Sequence, residues 1–115
     1  MISAKYRFHG YGGLNYLHRN GKTVRGKLMS ARFASNDRRD HPRFAVVVSK
    51  KVYKSAVKRN RIRRRIYEII RNNISDNPPT IDIAISVYSP EVLNLSHEEL
   101  KAQVEALLKE TGFKR

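Results

Sequence analysis

Phe44-Ala45-Val46-Val47-Val48-Ser49-Lys50-Lys51-Val52-Tyr53-Lys54-Ser55-Ala56-Val57-Lys58-Arg59-Asn60-Arg61-Ile62-Arg63-Arg64-Arg65-Ile66 is the stretch on which the fold turns. It opens with a short β-branched run, the pattern of a buried strand. From about Ser55 to Ile74 the pattern changes to that of a helix. Ile62, Ile66, Ile69, Ile70 and Ile74 recur at i, i+4, i+7, i+8 and i+12, one apolar stripe at helical period. Asn77-Pro78-Pro79 ends the helical run. Ile81 to Val87 then alternates at period two, which makes it a strand burying Ile81, Ile83, Ile85 and Val87.

Outward from this β-α-β unit, Ser96 and Glu99 make an S-x-x-E capping box that opens a last helix. Leu100, Val104, Leu107 and Leu108 form its stripe, and Gly112 stands where a C-terminal cap belongs. Upstream, Val24 to Ala34 reads as one strand and Ser35 to Pro42 as a polar loop. A short helix over Leu14–Arg19 is stopped by Asn20-Gly21, and residues 1–13 form a mobile basic arm. The expected class is α+β in the order α-β-β-α-β-α: helices packed on a small mixed sheet, in a single domain over 1–115.

The net charge of +14 calls for a polyanionic partner. No apolar run approaches the roughly 20 residues a membrane span needs, and no secretory signal is expected at the N-terminus. The absence of cysteine removes disulfides, thiolate nucleophiles and Cys-based zinc sites, and it suits a reducing cytoplasm. Through Ser75, 20 Lys and Arg stand against three acids; beyond it, four stand against seven. The polyanion therefore meets the first two-thirds of the chain, and the last third is scaffold.

Nine Lys and Arg and no acid lie between Lys50 and Arg65. At about 100° per residue, Lys58, Arg59, Arg61, Arg63, Arg64 and Arg65 encircle two helical turns instead of sharing a face. They do so at a helix N-terminus, where the macrodipole disfavours cations by roughly 0.3–1 kcal/mol. A phosphate bound there gains backbone N–H groups and guanidinium forks together, which accounts for the placement. Asn60 adds a donor and an acceptor that bulk neutralisation does not need. Helical geometry turns Arg59 towards the apolar stripe and past the sheet edge. It pairs Asn60 with Arg64 on the opposite face, set to meet the polyanion directly, and Arg61 with Arg65 in a second row. Arg63 and Arg65 are expected to supply more generic phosphate contacts.

Phe44-Ala-Val-Val-Val-Ser-Lys-Lys-Val followed by Ala56-Val57-Lys58-Arg59-Asn60-Arg61-Ile62-Arg63-Arg64 closely resembles the signature of the bacterial ribonuclease P protein component, with Arg59-Asn60-Arg61 matching its RNR motif. The likeness extends over nearly the whole chain. It implies a left-handed β-α-β crossover, against the usual right-handed rule. It also implies a protein that binds a catalytic RNA and precursor tRNA, while the RNA and its Mg²⁺ ions remove the 5′ leader. On that reading no catalytic residue and no tightly held metal belong to the protein, and no membrane or obligate protein partner is expected. RNA contacts fall to Lys50, Lys51, Lys54, Lys58, Arg59, Asn60, Arg61, Arg63, Arg64 and Arg65. Leader contacts fall to Leu14, Tyr16, His18 and Phe33, with Tyr16 and Phe33 the candidates for base stacking. Three departures from the family pattern stand out. Val52-Tyr53-Lys54-Ser55 lacks the usual glycine, Tyr67 replaces an arginine, and Leu14 and His18 stand where two phenylalanines are common.

Other chemistries find little support. His9, His18, His41 and His97 show no ligand spacing. Ser49 has no triad context, and Glu98-Glu99 is explained by helix capping. Gly10-Tyr11-Gly12-Gly13 has neither the preceding strand nor the following Gly-Lys-Ser/Thr of a phosphate loop. Two rival functions remain. A small ribosomal or structured-RNA-binding protein should carry charge along its whole length. A self-sufficient nuclease should carry clustered acids for two-metal chemistry.

Overall fold

The computed structural model describes residues 3–8, 12–36 and 38–113. Three helices, α1 (Gly12–Asn20), α2 (Ala56–Asn72) and α3 (His97–Glu110), accompany four strands, β1 (Lys22–Arg25), β2 (Met29–Ser35), β3 (Arg43–Val48) and β4 (Ile81–Val87). Short 3₁₀ turns lie at Ala4–Tyr6 and Pro90–Asn94. The class is the α+β mixed sheet expected, with one strand more.

The added strand corrects the reading of Val24–Ala34 as continuous. β1 and β2 are two arms of a hairpin, paired from Lys22↔Phe33 to Arg25↔Ser30. The break comes at Gly26, whose N–H donates to the Met29 carbonyl at 2.8 Å. A Cβ at Gly26 would stand 2.9 Å from that oxygen, so only glycine permits the turn. The apolar positions change phase across the turn, from Val24 and Leu28 to Met29 and Ala31.

The sheet order is β1-β2-β4-β3, with β3 and β4 parallel and the other pairs antiparallel. One face carries Met29, Ala31, Phe44, Val46, Val48, Ile81, Ile83, Ile85 and Val87, all buried. Against it pack Ile62, Ile66, Ile69 and Ile70 of α2 and Leu100, Val104, Leu107 and Leu108 of α3. All four alternating positions expected of β4 are therefore core. Ile74 follows the end of α2 and is half-buried on the same cluster.

The other face carries α1. Leu17 is 1% exposed, and Arg32 reaches up from β2 to the helix end. Its Nε donates to the Leu17 carbonyl at 2.9 Å, Nη2 to the His18 carbonyl, and Nη1 to Thr23 Oγ1 at 3.0 Å. One guanidinium thus reaches the last carbonyls of the helix, that of Leu17, which also accepts the Gly21 N–H at 2.8 Å, and that of His18. Gly21 completes the turn: a Cβ there would lie 2.5 Å from the Leu17 carbonyl oxygen.

Asp82 interrupts the isoleucines of β4 on this same face, yet it is 4% exposed. Arg43 of the parallel neighbour grips it through Nε at 3.1 Å and Nη2 at 2.7 Å, and Asn36 Nδ2 donates to it at 2.9 Å. A buried carboxylate is tolerated when paired and hydrogen-bonded in this way. Phe8 lies over the Arg43 guanidinium with 4.5 Å between ring centroid and Cζ. Of the arm expected over 1–13, residues 4–8 lie along β3, with Arg7 bridging Phe44. Residues 1–2 and 9–11, including His9, Gly10 and Tyr11, lie outside the described residues.

Candidate nucleic-acid interface

α2 begins at Ser55, whose Oγ accepts the Lys58 N–H at 3.3 Å. Its first turn holds no acid. Lys50, Lys51, Lys54, Lys58, Arg61 and Arg64 are exposed, and Arg59, Asn60, Arg63 and Arg65 are half-buried. The cations do encircle the helix, but they divide into two groups by what they touch.

Arg59 and Arg65 hold protein. Arg59 Nη1 donates to the Tyr53 and Lys54 carbonyls, each at 2.8 Å, folding the Lys50–Ser55 turn back onto the helix it precedes. That corrects the expectation that Arg59 reaches past the sheet edge: two loop carbonyls lie closer to hand. Without the family's glycine, this contact and Tyr53 itself shape the turn. The Tyr53 hydroxyl donates to the Pro90 carbonyl and accepts the Leu93 N–H at 3.3 Å. Arg65 Nη2 donates to the Leu95 carbonyl at 2.9 Å, so this residue also ties α2 to the chain entering α3.

The second group stays available. Arg63 donates to Asn60 Oδ1, which orients the amide and leaves its N–H₂ directed elsewhere. Arg61 and Arg64 make no hydrogen bond or ion pair to other described residues. Glu68, the acid of this helix, is engaged by Arg71, whose Nε lies 3.1 Å away. Arg71's hydrogen bond holds the Glu68 carboxyl below its ordinary range. The carboxylate is thereby partnered one turn beyond the basic ring. Arg64, Arg65, Glu68 and His97 line a shallow depression of about 360 Å³ between α2 and the start of α3. His97 was not legible as a neighbour of the basic helix.

The four leader candidates do not form one surface. Leu14, Tyr16 and His18 stand on α1, with Tyr16 57% exposed and His18 exposed. Phe33 lies in register with Ile83 and packs against the core under α2 and α3. It is therefore on the opposite sheet face from Arg32 and α1, apart from the other three leader candidates. Val47, 44% exposed, and Ser86 are in register on the α1 face. Sequence reading missed both, along with Leu17, although the same alternation could have found them.

The ribonuclease P family model matches residues 3–112. This chain belongs to the ribonuclease P protein family. The ribonuclease P protein component of Synechococcus sp. strain RCC307 is 32% identical, over 98% of this chain and 97% of its own. That of Synechocystis sp. strain PCC 6803 is 30% identical over 84% and 77%. Among solved structures, the Staphylococcus aureus RNase P protein superposes with a TM-score of 0.84 at 23% identity, covering 96% of this chain and 98% of its own. The Thermotoga maritima protein gives 0.77 at 22%, covering 90% and 96%. The likeness in structure establishes the fold; membership rests on the family match and the cyanobacterial relatives.

No three His, Cys, Asp or Glu side chains converge among the described residues. No helix among them is long and apolar enough to cross a membrane.

Proposed function

We propose that this protein is the RNA-binding subunit of a cytoplasmic ribonuclease P ribonucleoprotein, assisting 5′-leader removal from precursor tRNA. The observation that carries the reading is the acid-free, cation-ringed N-terminus of α2, where Arg61, Asn60, Arg63 and Arg64 remain unspent on the fold. On this reading the ring meets the catalytic RNA and precursor tRNA, which membership of the ribonuclease P protein family supports. Lys50, Lys51, Lys54 and Lys58 extend it along the turn before the helix. Leu14, Tyr16 and His18 on α1 are the leader-side candidates that remain. Mg²⁺ belongs to the RNA in this scheme, and the protein's part is affinity and positioning.

Reconstitution is the test. Purified protein is added to a bacterial ribonuclease P RNA, and cleavage of a precursor tRNA is followed as Mg²⁺ is lowered. The expected result is accurate 5′ processing at Mg²⁺ concentrations where the RNA alone is inactive, with no cleavage by RNA-free protein. Failure to lower the Mg²⁺ requirement, or specific cleavage by the protein alone, would overturn it.

A further inference from the structure

A cleft remains between the β1–β2 turn and α3 because both of its walls carry small residues. On α3, Gln103, Ala106 and Glu110 follow at i, i+3 and i+7 along one face, so the ridge dips at Ala106. On the sheet side Gly26 has no side chain, and a Cβ there would approach Leu107 Cδ2 at 3.5 Å. The space left is about 240 Å³, with buried Met29 and Leu107 at its base and exposed Lys27 and Glu110 at its rim. The turn that forms one wall is held firmly. The Tyr88 hydroxyl donates to the Gly26 carbonyl, and the Tyr88 N–H donates to the Leu28 carbonyl at 3.2 Å. None of the lining residues belongs to α2.

One polar atom in this lining lacks a partner. Gln103 Oε1 is buried and accepts no hydrogen bond among the described residues. A buried acceptor without a donor weakens the fold, and a ligand that brings the donor removes that loss. The carboxamide sets an acceptor and a donor side by side, which matches the N6 amino group and N7 of adenine. Met29 and Leu107 suit the face of the ring. Glu110 stands two turns from Gln103 on the same helix face, about 10 Å away by helical rise. That is the reach from the amino edge of an adenosine to its ribose hydroxyls, which a carboxylate accepts. Lys27 offers a cation to a 5′-phosphate, and neither Lys27 nor Glu110 forms an ion pair among the described residues. Arg25 also lines the cleft, but Val24 beside it packs on the core, so alternation sends the Arg25 side chain to the other sheet face.

We propose that this cleft binds a single adenosine group, with the adenine read by the Gln103 carboxamide. The N6 amino group donates to Gln103 Oε1, Nε2 donates to N7, and the ring lies on Met29, Leu107 and Ala106. The ribose hydroxyls donate to Glu110, and the 5′-phosphate lies at Lys27. An unpaired adenosine of an RNA and a free adenine nucleotide share this chemistry. The site stands apart from the cation ring of α2 and does not depend on the role proposed above. It selects a base, where the ring meets phosphates.

The intact protein, labelled with ¹⁵N, is titrated with adenosine monophosphate at constant ionic strength. The Gln103 side-chain NH₂ and the Gly26 backbone N–H are expected to saturate together with one midpoint. Inosine monophosphate carries a carbonyl oxygen in place of the N6 amino group, and is expected to bind about tenfold more weakly at these resonances. Gln103→Leu removes the unpartnered acceptor and is expected to keep the fold while erasing that preference, read at Gly26. Ala106→Leu, at an exposed position, fills the cleft and is expected to abolish saturation. In a second arm a uridine pentanucleotide, with or without one central adenosine, replaces the mononucleotide. If the adenosine-containing RNA saturates Gln103 at lower concentration than adenosine monophosphate, RNA is the source of the group. The reverse order assigns the site to a free nucleotide. If inosine monophosphate matches adenosine monophosphate, if the preference survives Gln103→Leu, or if Ala106→Leu binds as the wild type does, the site fails. It fails equally if neither the mononucleotide nor the RNA moves Gln103, and the proposed function then stands untouched.

Discussion

α2 and α3 begin with the same residue and then diverge. Ser96 accepts the Glu99 N–H at 3.1 Å, and Glu99 Oε1 returns to accept the Ser96 N–H at 3.1 Å, a complete capping box. Ser55 likewise caps Lys58, but the position that holds Glu99 in α3 holds a lysine in α2. One end meets the helix dipole with two acids, and the other adds cations to it. The contrast separates a helix end arranged for the fold from one arranged for a ligand.

The largest effect that would sharpen this contrast lies in salt. If the α2 end and its flanking lysines neutralise about six to eight phosphates, log K for RNA should fall with log[salt] at a slope of roughly −4 to −7. Charge-neutral substitutions in α3 should leave that slope alone. A measured slope shallower than about −2 would break the assignment of α2 to a phosphate backbone.

Next in size is Asn60→Ala, which removes no charge. It is expected to cost about 1–3 kcal/mol of affinity for the catalytic RNA, because a partner is left unpaired. Lys22→Ala serves as comparison. Equal losses, or silence at Asn60, would reduce α2 to bulk electrostatics. Ser96→Ala should cost about 1 kcal/mol of stability and nothing in RNA affinity, read from denaturant melts and binding in parallel.

Lys58→Glu puts an acid at the capping-box position of α2. Stability is expected to rise by about 0.3–1 kcal/mol while RNA affinity falls and its salt slope becomes shallower. A rise in both quantities would refute the idea that stability was given up for binding. The smallest effect is one of pH. The backbone N–H of Ser96 holds the Glu99 carboxyl below its ordinary value. A lowered folded pKa adds stability that is present above the unfolded value and lost as pH falls through the folded one. Glu99→Gln should therefore flatten the acid limb of stability below about pH 4.5. The corresponding Lys58→Gln should leave that limb unchanged.

The parts of the fold legible in sequence were those with an uninterrupted period. The isoleucines of α2 and β4 and the Ser96 box each state their own burial or geometry. The Gly26 turn did leave a mark, a change of phase from Val24 and Leu28 to Met29, Ala31 and Phe33, but a single shift in so short a stretch reads as one strand with a bulge. The division of labour within the basic ring was hidden for a different reason. Whether a guanidinium serves RNA or protein depends on carbonyls far away in the chain, such as Leu95 for Arg65. Asp82 was a readable anomaly, a carboxylate between two isoleucines, and Arg43 opens the strand beside it. Pairing them required the parallel register. Phe33 was placed by its aromatic character, when the alternation of β2 argued for the core.

The strand order β1-β2-β4-β3 has a consequence for the order in which the protein comes into being. β4 is the last strand to be made and the one that sits between the others. Until residue 87 has left the ribosome, the β1–β2 hairpin and β3 have no common neighbour, and α2 has no completed surface for its isoleucines. The nascent chain is then a long basic segment with its apolar stripe uncovered, released into surroundings crowded with RNA. Non-local pairing of this kind forms late. An RNA that engages the α2 cations at that stage would act on folding before it acts on function, as a polyanion screening the charge that the late-arriving strand must overcome.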